Sequence, residues 1–413
     1  MNTILSLIDM VRTDFGVECG FLLSGSKNTR KSTRELLCFF GGMLLLFGSG
    51  ALLAEPFSGV PAPPNIGAAS YILLDFNTGT VLAERNSGAR AEPASLAKIM
   101  TSYVAAEALA SGAITLNDMT TVSEKAWRME GSRMFIEVNK QVTVDELLQG
   151  VIIQSGNDAS VALAEHISGS EEVFAAVMDQ QASRLKMENS GFANSTGLPD
   201  PGTYSTAHDL AQLAIAFIRD YPEIYSRFAE KEYTYADIRQ FNRNRLMNRD
   251  ASVDGVKTGY TEAAGYCLVS AALRGDMRLV AAVMGAASDA ARTEASQALL
   301  NYGFRFFESR KIYSVGDTIA SVKVWKGEAN EVQLGVASDL YVAIPRGTYN
   351  DVEAAAEITE TIEAPVEAGQ EIGTLVLKLK GRTVRSVSLV ALHAAPRGSM
   401  FSRAIDEVMM RLE

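Results

Sequence analysis

Cysteine and histidine are scarce in this chain of 413 residues, which contains three of each. Cys19 and Cys38 stand near the N-terminus, while Cys267 lies in the apolar segment YCLVSAAL and is predicted to be a buried core residue. The three histidines are far apart, with no pair at metal-ligand spacing: His166, His208 and His393. We therefore expect no metal site, no cofactor and no disulfide framework.

Basic charge is also in short supply, since 38 Lys and Arg residues stand against 49 Asp and Glu residues. The net charge of −11 repels nucleic acid, and no basic stripe compensates for it locally. The chain likewise lacks the G-x-S-x-G motif that carries the nucleophile of α/β-hydrolases. These absences argue against nucleic-acid binding, zinc peptidase activity and Ser-His-Asp hydrolysis.

Long apolar runs are limited to one segment, LLCFFGGMLLLFGSGALLA, which covers residues 36–54. Three basic residues precede it between positions 30 and 34, and small residues stand at its end. This arrangement predicts a secretory signal cleaved after Ala54. An uncleaved membrane anchor is the alternative, because the run just reaches the length that spans a bilayer. Residues 1–54 are accordingly predicted to be the leader of an exported protein.

The remainder of the chain divides into two patterns. Residues 62–307 begin and end with strand patterns and have helical patterns between them, which predicts a mixed α/β domain. Residues 312–395 consist of short alternating segments separated by Gly, Asp and Asn, which predicts a small all-β domain of the sandwich type.

The last segment, residues 398–413, has the pattern of an amphipathic helix. Phe401, Ile405, Val408 and Leu412 fall on one helical face, with charged residues elsewhere on the wheel. The pattern fits a helix lying on a membrane surface. It fits a helix docked on the β domain, or a frayed tail, equally well.

The segment EPASLAKIMT, residues 92–101, predicts a helix with Pro93 at its first position. Ser95 then lies in the first turn, and Lys98 follows three residues later on the same face. A solvent-facing pair is the ordinary explanation, because both residue types are common. The alternative is a nucleophile and its base, which requires burial or nearby positive charge to lower the pKa of the lysine.

Two later triplets favour the catalytic explanation. QSGND carries Ser155 and Asn157 between two helical patterns, and DGVKTGYT carries Lys257, Thr258 and Gly259 at the opening of a strand pattern. Each triplet alone is an ordinary polar turn. In the order S-x-x-K, S-x-N and K-T-G they form the signature set of penicillin-binding proteins and class A β-lactamases. The K-T-G lysine also adds positive charge that lowers the pKa of the S-x-x-K lysine.

The remaining motif residues have chemistry that fits an acyl transfer. Ser155 and Asn157 can relay a proton and hold a substrate amide. Thr258 and the backbone N–H of Tyr260 can bind a peptide carboxylate and an oxyanion. Gly259 has no side chain and lets a substrate approach the strand edge closely.

Over nearly all of its length after the leader, the chain resembles the low-molecular-weight penicillin-binding proteins. These are serine-type D-alanyl-D-alanine carboxypeptidases of peptidase family S11, here of the type with an added β domain and a C-terminal membrane-surface helix. The likeness extends beyond the motifs to the segments YSTAHDLA, RQFNRN, DGVKTGYTEAAGY, RLVAAVMG, NYGFRFFE and YVAIPRG.

The resemblance implies a fold, an activity and a location. The fold is a penicillin-binding, β-lactamase-like transpeptidase domain with an antiparallel sheet and helices. The activity is removal of the terminal D-alanine from peptidoglycan pentapeptide stems through a serine acyl-enzyme, with covalent acylation by penicillins and other β-lactams. The location is the periplasmic face of the bacterial cytoplasmic membrane, where the C-terminal helix would attach peripherally.

The resemblance also implies one role outside the motifs and shows one departure. Arg292, in DAARTEAS, is expected to bind the terminal carboxylate of the substrate, for which the guanidinium fork is well suited. Relatives often carry His after K-T-G, where this chain has Tyr260. The oxyanion role belongs to the backbone N–H and is unaffected, but side-chain preferences near the leaving D-alanine could differ.

Three other functions compete with this interpretation. A β-lactamase needs a carboxylate that activates the deacylating water, and no E-x-x-x-N segment occurs between Asn157 and Lys257. A catalytically silent binding protein should have lost part of the Ser and Lys set, which is complete here. A DD-endopeptidase acting on crosslinked stems would need a more open groove, which the sequence does not show.

Overall fold

The computed structural model describes residues 59–358 and 361–412. The predicted leader, together with Cys19 and Cys38, lies outside the described residues. Within the described residues, no helix is both long enough and apolar enough to cross a membrane.

The first part of the chain combines strands with helices. Its strands are β1 (Ser70–Asp75), β2 (Val81–Arg85), β3 (Met119–Thr121), β4 (Gln141–Thr143), β5 (Glu232–Tyr235), β6 (Ile238–Phe241), β7 (Val253–Thr261), β8 (Gly265–Arg274) and β9 (Met277–Ala286). Its helices are α1 (Lys98–Ala110), α2 (Glu124–Trp127), α3 (Val144–Gln149), α4 (Asn157–Ser168), α5 (Glu171–Arg184), α6 (Ala207–Asp220), α7 (Pro222–Tyr225) and α8 (Asp289–Phe306).

A five-stranded antiparallel sheet lies at the centre of this part, in the order β2-β1-β9-β8-β7. Alternate side chains of a strand face opposite sides of a sheet. Accordingly, Ile72 and Leu74 join the core formed with the helices α1 to α6, while Tyr71 and Leu73 join the core beneath α8. Strand β7 is left at the edge, with its free side toward the start of α1.

The second part of the chain is built mainly of strands and ends in a helix. Its elements are β10 (Phe307–Tyr313), β11 (Ala320–Trp325), β12 (Glu331–Gly335), β13 (Leu340–Pro345), β14 (Val352–Glu357), β15 (Ile362–Glu363), β16 (Glu371–Leu379), β17 (Arg382–Ala391) and α9 (Met400–Met410). A six-stranded sheet, β14-β16-β17-β12-β11-β15, and the pair β10-β13 share one apolar core. The predicted fold class, mixed α/β followed by a β-sheet domain, is confirmed.

Three local predictions need correction. Pro93 caps a 3-10 turn, Ala94–Ala97, and α1 begins only at Lys98, so Ser95 precedes the α-helix. Ala94 adopts a left-handed conformation (φ 49°), which stops the α-helix from extending backwards. The K-T-G residues do not open a strand but lie in the middle of β7.

Candidate active site

A cavity of about 440 Å³ lies between the edge strand β7 and the helical layer. It is lined by most of the predicted site residues: Ser95, Ser155, Asn157, Thr258, Gly259, Tyr260 and Arg292. Lys98 and Lys257 lie behind this lining and are buried. The structure therefore brings together the three motifs S-x-x-K, S-x-N and K-T-G, although the first and the last stand far apart in the sequence, at Ser95 and Lys257.

The turn that carries Ser95 packs directly against strand β7. A Cβ atom at Gly259 would lie 3.0 Å from the carbonyl oxygen of Pro93 and 3.2 Å from the Cβ atom of Ala94. We expected Gly259 to let substrate approach the strand, and the structure shows that it also lets the turn of Ser95 pack closely against β7. Any side chain here would push the nucleophile turn away from the strand.

Lys98 is fully buried, and its Nζ atom contacts three acceptors. It lies 3.2 Å from Ser95 Oγ, 2.7 Å from Asn157 Oδ1 and 2.6 Å from the carbonyl oxygen of Thr196. An ammonium group has three N–H donors, so the charged form of Lys98 is satisfied here. The neutral form keeps two N–H donors and offers its lone pair to the third neighbour.

The environment of Lys98 favours the neutral amine. Burial lowers its pKa to about 7, and the positive charge of Arg243 acts in the same direction. The carboxylates of Asp158 and Glu171 act in the opposite direction and raise the pKa of Lys98. Near neutral pH, Lys98 can therefore exist as a base.

The S-x-N residues follow a π-turn, Gly150–Gln154, at the end of α3. Ser155 adopts a left-handed conformation (φ 66°), and α4 begins two residues later at Asn157. The buried Ser155 Oγ has no hydrogen-bond partner among the described residues. Asn157 Nδ2 donates to the carbonyl of Glu130 at 2.6 Å, so this amide joins Lys98 to the segment that forms one wall of the cavity.

The K-T-G strand contributes a second buried lysine. Burial lowers the pKa of Lys257 well below its ordinary value, and the charges of Lys98, Arg243 and Arg292 add to the effect. Two like charges at close range disfavour full protonation of both amines. Tyr260 also lines the cavity, and this residue is 54% exposed.

Two arginines face the cavity, and only one of them was predicted. Arg292 is buried and already engaged: it donates to the carbonyls of Gly259 at 2.9 Å and Cys267 at 3.2 Å and pairs with Asp289. Arg243 lines the same cavity, and within the described residues its guanidinium has neither a hydrogen bond nor an ion pair. Arg243 belongs to the segment RQFNRN, which resembles the corresponding segment of the penicillin-binding proteins. The sequence did not indicate which residue of this segment faces the cavity.

The segment 194–198 was also missed by the sequence analysis. Its residues Thr196, Gly197 and Leu198 line the cavity, and the carbonyl of Thr196 bonds Lys98. In sequence it is an ordinary polar turn, NSTGL, with no signature residue.

The cavity wall is electropositive. Arg243 and Arg292 line it, the two buried lysines lie behind it, and no Asp or Glu of the described residues is among its lining residues. Such a site suits a substrate that ends in a carboxylate and develops negative charge during reaction. Within residues 59–358 and 361–412, no group of three or more His, Cys, Asp or Glu side chains is arranged to hold a metal. Cys267 is buried as predicted, and burial raises the pKa of its thiol.

Comparison with known proteins identifies both parts of the chain. The family model "D-alanyl-D-alanine carboxypeptidase" matches residues 58–288, and the model of the penicillin-binding protein 5 C-terminal domain matches residues 307–397. D-alanyl-D-alanine carboxypeptidase DacA of Escherichia coli (strain K12) is 42% identical over 359 residues, which cover 85% of this chain and 89% of that protein. DacC of the same strain is 43% identical over 376 residues, covering 89% and 93% respectively.

A solved structure shows the same relationship in three dimensions. Penicillin binding protein 5 from Haemophilus influenzae superposes with a TM-score of 0.79 at 40% identity, covering 82% of this chain and 100% of that chain. The matches include both the helical part with the clustered motifs and the β-sheet part that follows. The chain therefore belongs to the D-alanyl-D-alanine carboxypeptidase family, peptidase family S11, of the penicillin-binding proteins.

Proposed function

We propose that Ser95 is the nucleophile of this D-alanyl-D-alanine carboxypeptidase and that Lys98 is its base. The observation that carries the proposal is the contact between Lys98 Nζ and Ser95 Oγ at 3.2 Å, with the lysine fully buried and its pKa lowered to about 7. A lysine in this state accepts a proton near neutral pH, which an exposed lysine does not.

In the acylation step, Lys98 takes the proton of Ser95 Oγ, and the oxygen attacks the carbonyl carbon of the penultimate D-alanine. The oxyanion that forms accepts hydrogen bonds from the backbone N–H groups of Ser95 and Tyr260. The C–N bond then breaks, the terminal D-alanine leaves as an amine after receiving a proton, and Ser95 holds the remainder of the stem as an ester. Penicillins acylate the same oxygen when their β-lactam C–N bond opens.

Ser155 and Lys257 are the proposed route of the proton to the leaving nitrogen. Ser155 lines the cavity, and its buried Oγ has no hydrogen-bond partner among the described residues, so we propose that it bonds a reacting group. Burial lowers the pKa of Lys257, so its neutral amine can accept the proton that Lys98 took from Ser95 and pass it through the Ser155 hydroxyl to the leaving nitrogen. Water then hydrolyses the ester and regenerates Ser95.

The substrate carboxylate is proposed to lie beside Thr258 and the two cavity arginines. Among the described residues no acceptor takes the guanidinium donors of Arg243, whereas both terminal nitrogens of Arg292 donate to Gly259, Cys267 and Asp289. We therefore assign direct contact mainly to Arg243. Arg292 is proposed to hold strand β7 and to add positive charge behind it. Asn157 remains a proposed contact for the substrate amide in addition to its bond with Lys98.

The lining of the cavity supports a carboxypeptidase over a β-lactamase. A class A β-lactamase needs a carboxylate to activate the deacylating water, and none of the described residues lining this cavity is acidic. Hydrolysis of β-lactams is therefore expected to be slow relative to acylation, so that penicillin remains attached.

Domain roles and location are also proposed. Residues 62–307 form the catalytic domain, residues 312–395 form the β domain, and residues 1–54 direct export.

The apolar residues of the C-terminal segment stay exposed in the described structure, with Phe401 at 81%, Ile405 at 54%, Val408 at 59% and Leu412 at 77%. Its polar side contacts the β domain, because the backbone N–H of Lys326 donates to Asp406 Oδ2 at 2.6 Å. This arrangement supports attachment to the periplasmic membrane surface.

A direct assay of D-alanine release tests the proposed function. Purified mature protein is incubated with diacetyl-Lys-D-Ala-D-Ala, and free D-alanine is measured alongside the Ser95→Ala variant. We expect release by the wild type and none by the variant. Activity retained in Ser95→Ala would contradict the assignment of the nucleophile.

A further inference from the structure

The direction of the Lys98 lone pair depends on a backbone carbonyl. A neutral amine has two N–H donors and one lone pair. The acceptors Asn157 Oδ1, at 2.7 Å, and Thr196 O, at 2.6 Å, take the two donors. The lone pair is then left for Ser95 Oγ at 3.2 Å. A displaced Thr196 carbonyl would turn the amine and misdirect the base.

The residue before this carbonyl, Ser195, is held at three atoms. Its backbone N–H and its Oγ both donate to Glu171 Oε1, at 3.0 Å and 2.7 Å. Its carbonyl oxygen accepts from Thr101 Oγ1 at 2.6 Å. Thr101 lies on α1 one turn after Lys98, and Glu171 opens α5. Ser195 therefore connects the helix of the base to a neighbouring helix.

Glu171 is built into the fold as an anchored carboxylate. Its side chain is only 9% exposed, and its second oxygen lies 3.1 Å from Lys125 Nζ. The next residue, Glu172, pairs with the same lysine at 2.8 Å, but its side chain is 75% exposed. Among the described residues, no hydrogen bond or ion pair joins Glu172 to Ser195. Glu171 and Glu172 thus both pair with Lys125, and Glu171 also accepts hydrogen bonds from Ser195.

We propose that Glu171 is a positioning residue for acylation: through Ser195 it holds the Thr196 carbonyl against Lys98 and so aims the lysine lone pair at Ser95. The proposal rests on the proposed function of Lys98 as base. It assigns to a side chain outside the cavity a task that none of the three motifs provides.

The charge of Glu171 has a second, separable effect. The charged groups that act on Lys98 are Arg243, Asp158 and Glu171, and the neighbouring Lys257 has its own pKa lowered by burial and by the charge of Lys98. Arg243 lowers the proton affinity of Lys98, and the two carboxylates raise it. Removing one carboxylate charge lowers the pKa of Lys98, so a larger fraction of the base is neutral at mildly acidic pH. The acid limb of the acylation rate profile should therefore move to lower pH.

Three variants separate position from charge, with a fluorescent penicillin as the acylating probe. Glu171→Ala leaves both Ser195 donors unpaired, and we expect the acylation rate constant to fall about tenfold or more. Glu171→Gln keeps an oxygen acceptor but loses the charge, so the rate at high pH should stay close to wild type while the acid limb moves to lower pH. Ser195→Ala removes one of the two donors and should fall between Glu171→Ala and wild type.

Glu172→Gln is the matched control. It lies one residue away, loses the same charge and contacts the same Lys125, but does not reach Ser195. We expect its acylation rate and its acid limb to match the wild type. Melting temperatures of all variants are measured in parallel. If Glu171→Ala fails to fold, the pH profile of Glu171→Gln and the acylation rate of Ser195→Ala test the positioning role of Glu171 instead.

Three outcomes would overturn the proposal. One is a folded Glu171→Ala that acylates at the wild-type rate. Another is a rate loss in Glu172→Gln as large as that in Glu171→Ala. The third is an acid limb in Glu171→Gln that coincides with the wild type. These results are distinct from a failure of the proposed function, which would appear as normal acylation in Lys98→Arg.

Discussion

Lys98 Nζ lies 3.2 Å from Ser95 Oγ, and the lysine is fully buried. Burial of a lysine without strong pairing destabilises a protein, and such burial is typical of functional sites. Here the buried lysine contacts the proposed nucleophile. The same burial lowers the pKa of Lys98 to about 7. The burial of Lys98 in the core of the helical layer therefore gives it the lowered pKa that a base for Ser95 needs.

Replacement of Lys98 by Arg is expected to abolish acylation. Arginine remains charged in proteins and cannot accept the Ser95 proton. We expect covalent labelling by penicillin to fall by at least about a thousandfold, in line with the loss of a general base. The measurement is the labelling rate on protein whose circular dichroism matches the wild type. Near-normal labelling of Lys98→Arg would exclude Lys98 as the base.

Acylation should depend on pH through a single group that titrates near neutrality. Below a pH of about 7 Lys98 binds a proton and cannot act as a base, so the rate falls as pH decreases. Above that value the amine is neutral and the rate reaches a plateau. Stopped-flow labelling across pH 5 to 9 measures the profile. A rate that is still rising at the upper end of this range, as expected for the ordinary lysine pKa of about 10, would contradict a buried, neutral Lys98.

Arg243 and Arg292 should differ when each is replaced by Ala. Arg243 lines the cavity and its guanidinium has no partner in the part of the chain that the structure describes, so its loss should lower kcat/KM for D-Ala-D-Ala peptides about 10- to 100-fold without lowering the melting temperature. Arg292 bonds the carbonyls of Gly259 and Cys267, so its loss should lower both activity and melting temperature.

Arg239→Ala is a suitable control for the arginine pair. Arg239 lies on β6 and pairs with Glu232 at the surface, and it is absent from the cavity lining. Its kcat/KM is expected to match the wild type. If Arg243→Ala and Arg239→Ala have the same kinetics, Arg243 does not bind the substrate carboxylate.

Gly197 should tolerate no side chain, because the segment 194–198 packs on the nucleophile turn. It adopts a φ of +76°, and an added Cβ atom would overlap the carbonyl oxygen of Ala94. Gly112 has a similar φ of +72° but open space around it. Gly112→Ala should cost only the backbone term of roughly 1–2 kcal/mol. Gly197→Ala should cost more by roughly 1–3 kcal/mol and slow acylation. Equal losses of melting temperature would contradict this packing.

Removal of residues 398–413 should release the mature protein from membranes and leave its peptidase activity intact. Four apolar side chains of this segment are exposed, and each contributes roughly 1.5–3 kcal/mol when fully buried. Burial at an interface is partial, so reversible binding is expected. Sedimentation with anionic lipid vesicles measures it. A full-length variant with Ser at positions 401, 405, 408 and 412 is the control for length. A truncated protein that stays bound, or one that is soluble but inactive, would contradict the proposed role of the segment.

Much of the site was predictable because its residues are held by motifs with fixed local spacing. Ser95 and Lys98 are three residues apart on continuous turns, so their proximity follows from local geometry alone. Ser155 and Lys257 could be placed only through the family signature. The fold class followed from alternation and helical periodicity, which reflect the two faces of the central sheet.

The residues that the sequence did not reveal act through contacts distant in the chain. Thr196 reaches Lys98 with a backbone carbonyl, which any residue type carries. Glu171 is 24 residues from Ser195, and nothing distinguishes it from its neighbour Glu172 in sequence. Arg243 is one of several arginines in a polar segment, and only the folded structure shows that its guanidinium lines the cavity and has no hydrogen bond or ion pair within residues 59–358 and 361–412. The start of α1 was misplaced because Ala94 adopts a conformation that is rare for alanine.

The most direct test of the account is the site of penicillin attachment. The mature protein is incubated with penicillin, digested and examined by mass spectrometry, with Lys98→Arg and Ser95→Ala treated in parallel. We expect one acyl adduct on the peptide that contains Ser95, attached as an ester to the Ser95 oxygen, and no adduct in either variant. An adduct on another residue, or an unchanged adduct in Lys98→Arg, would contradict it.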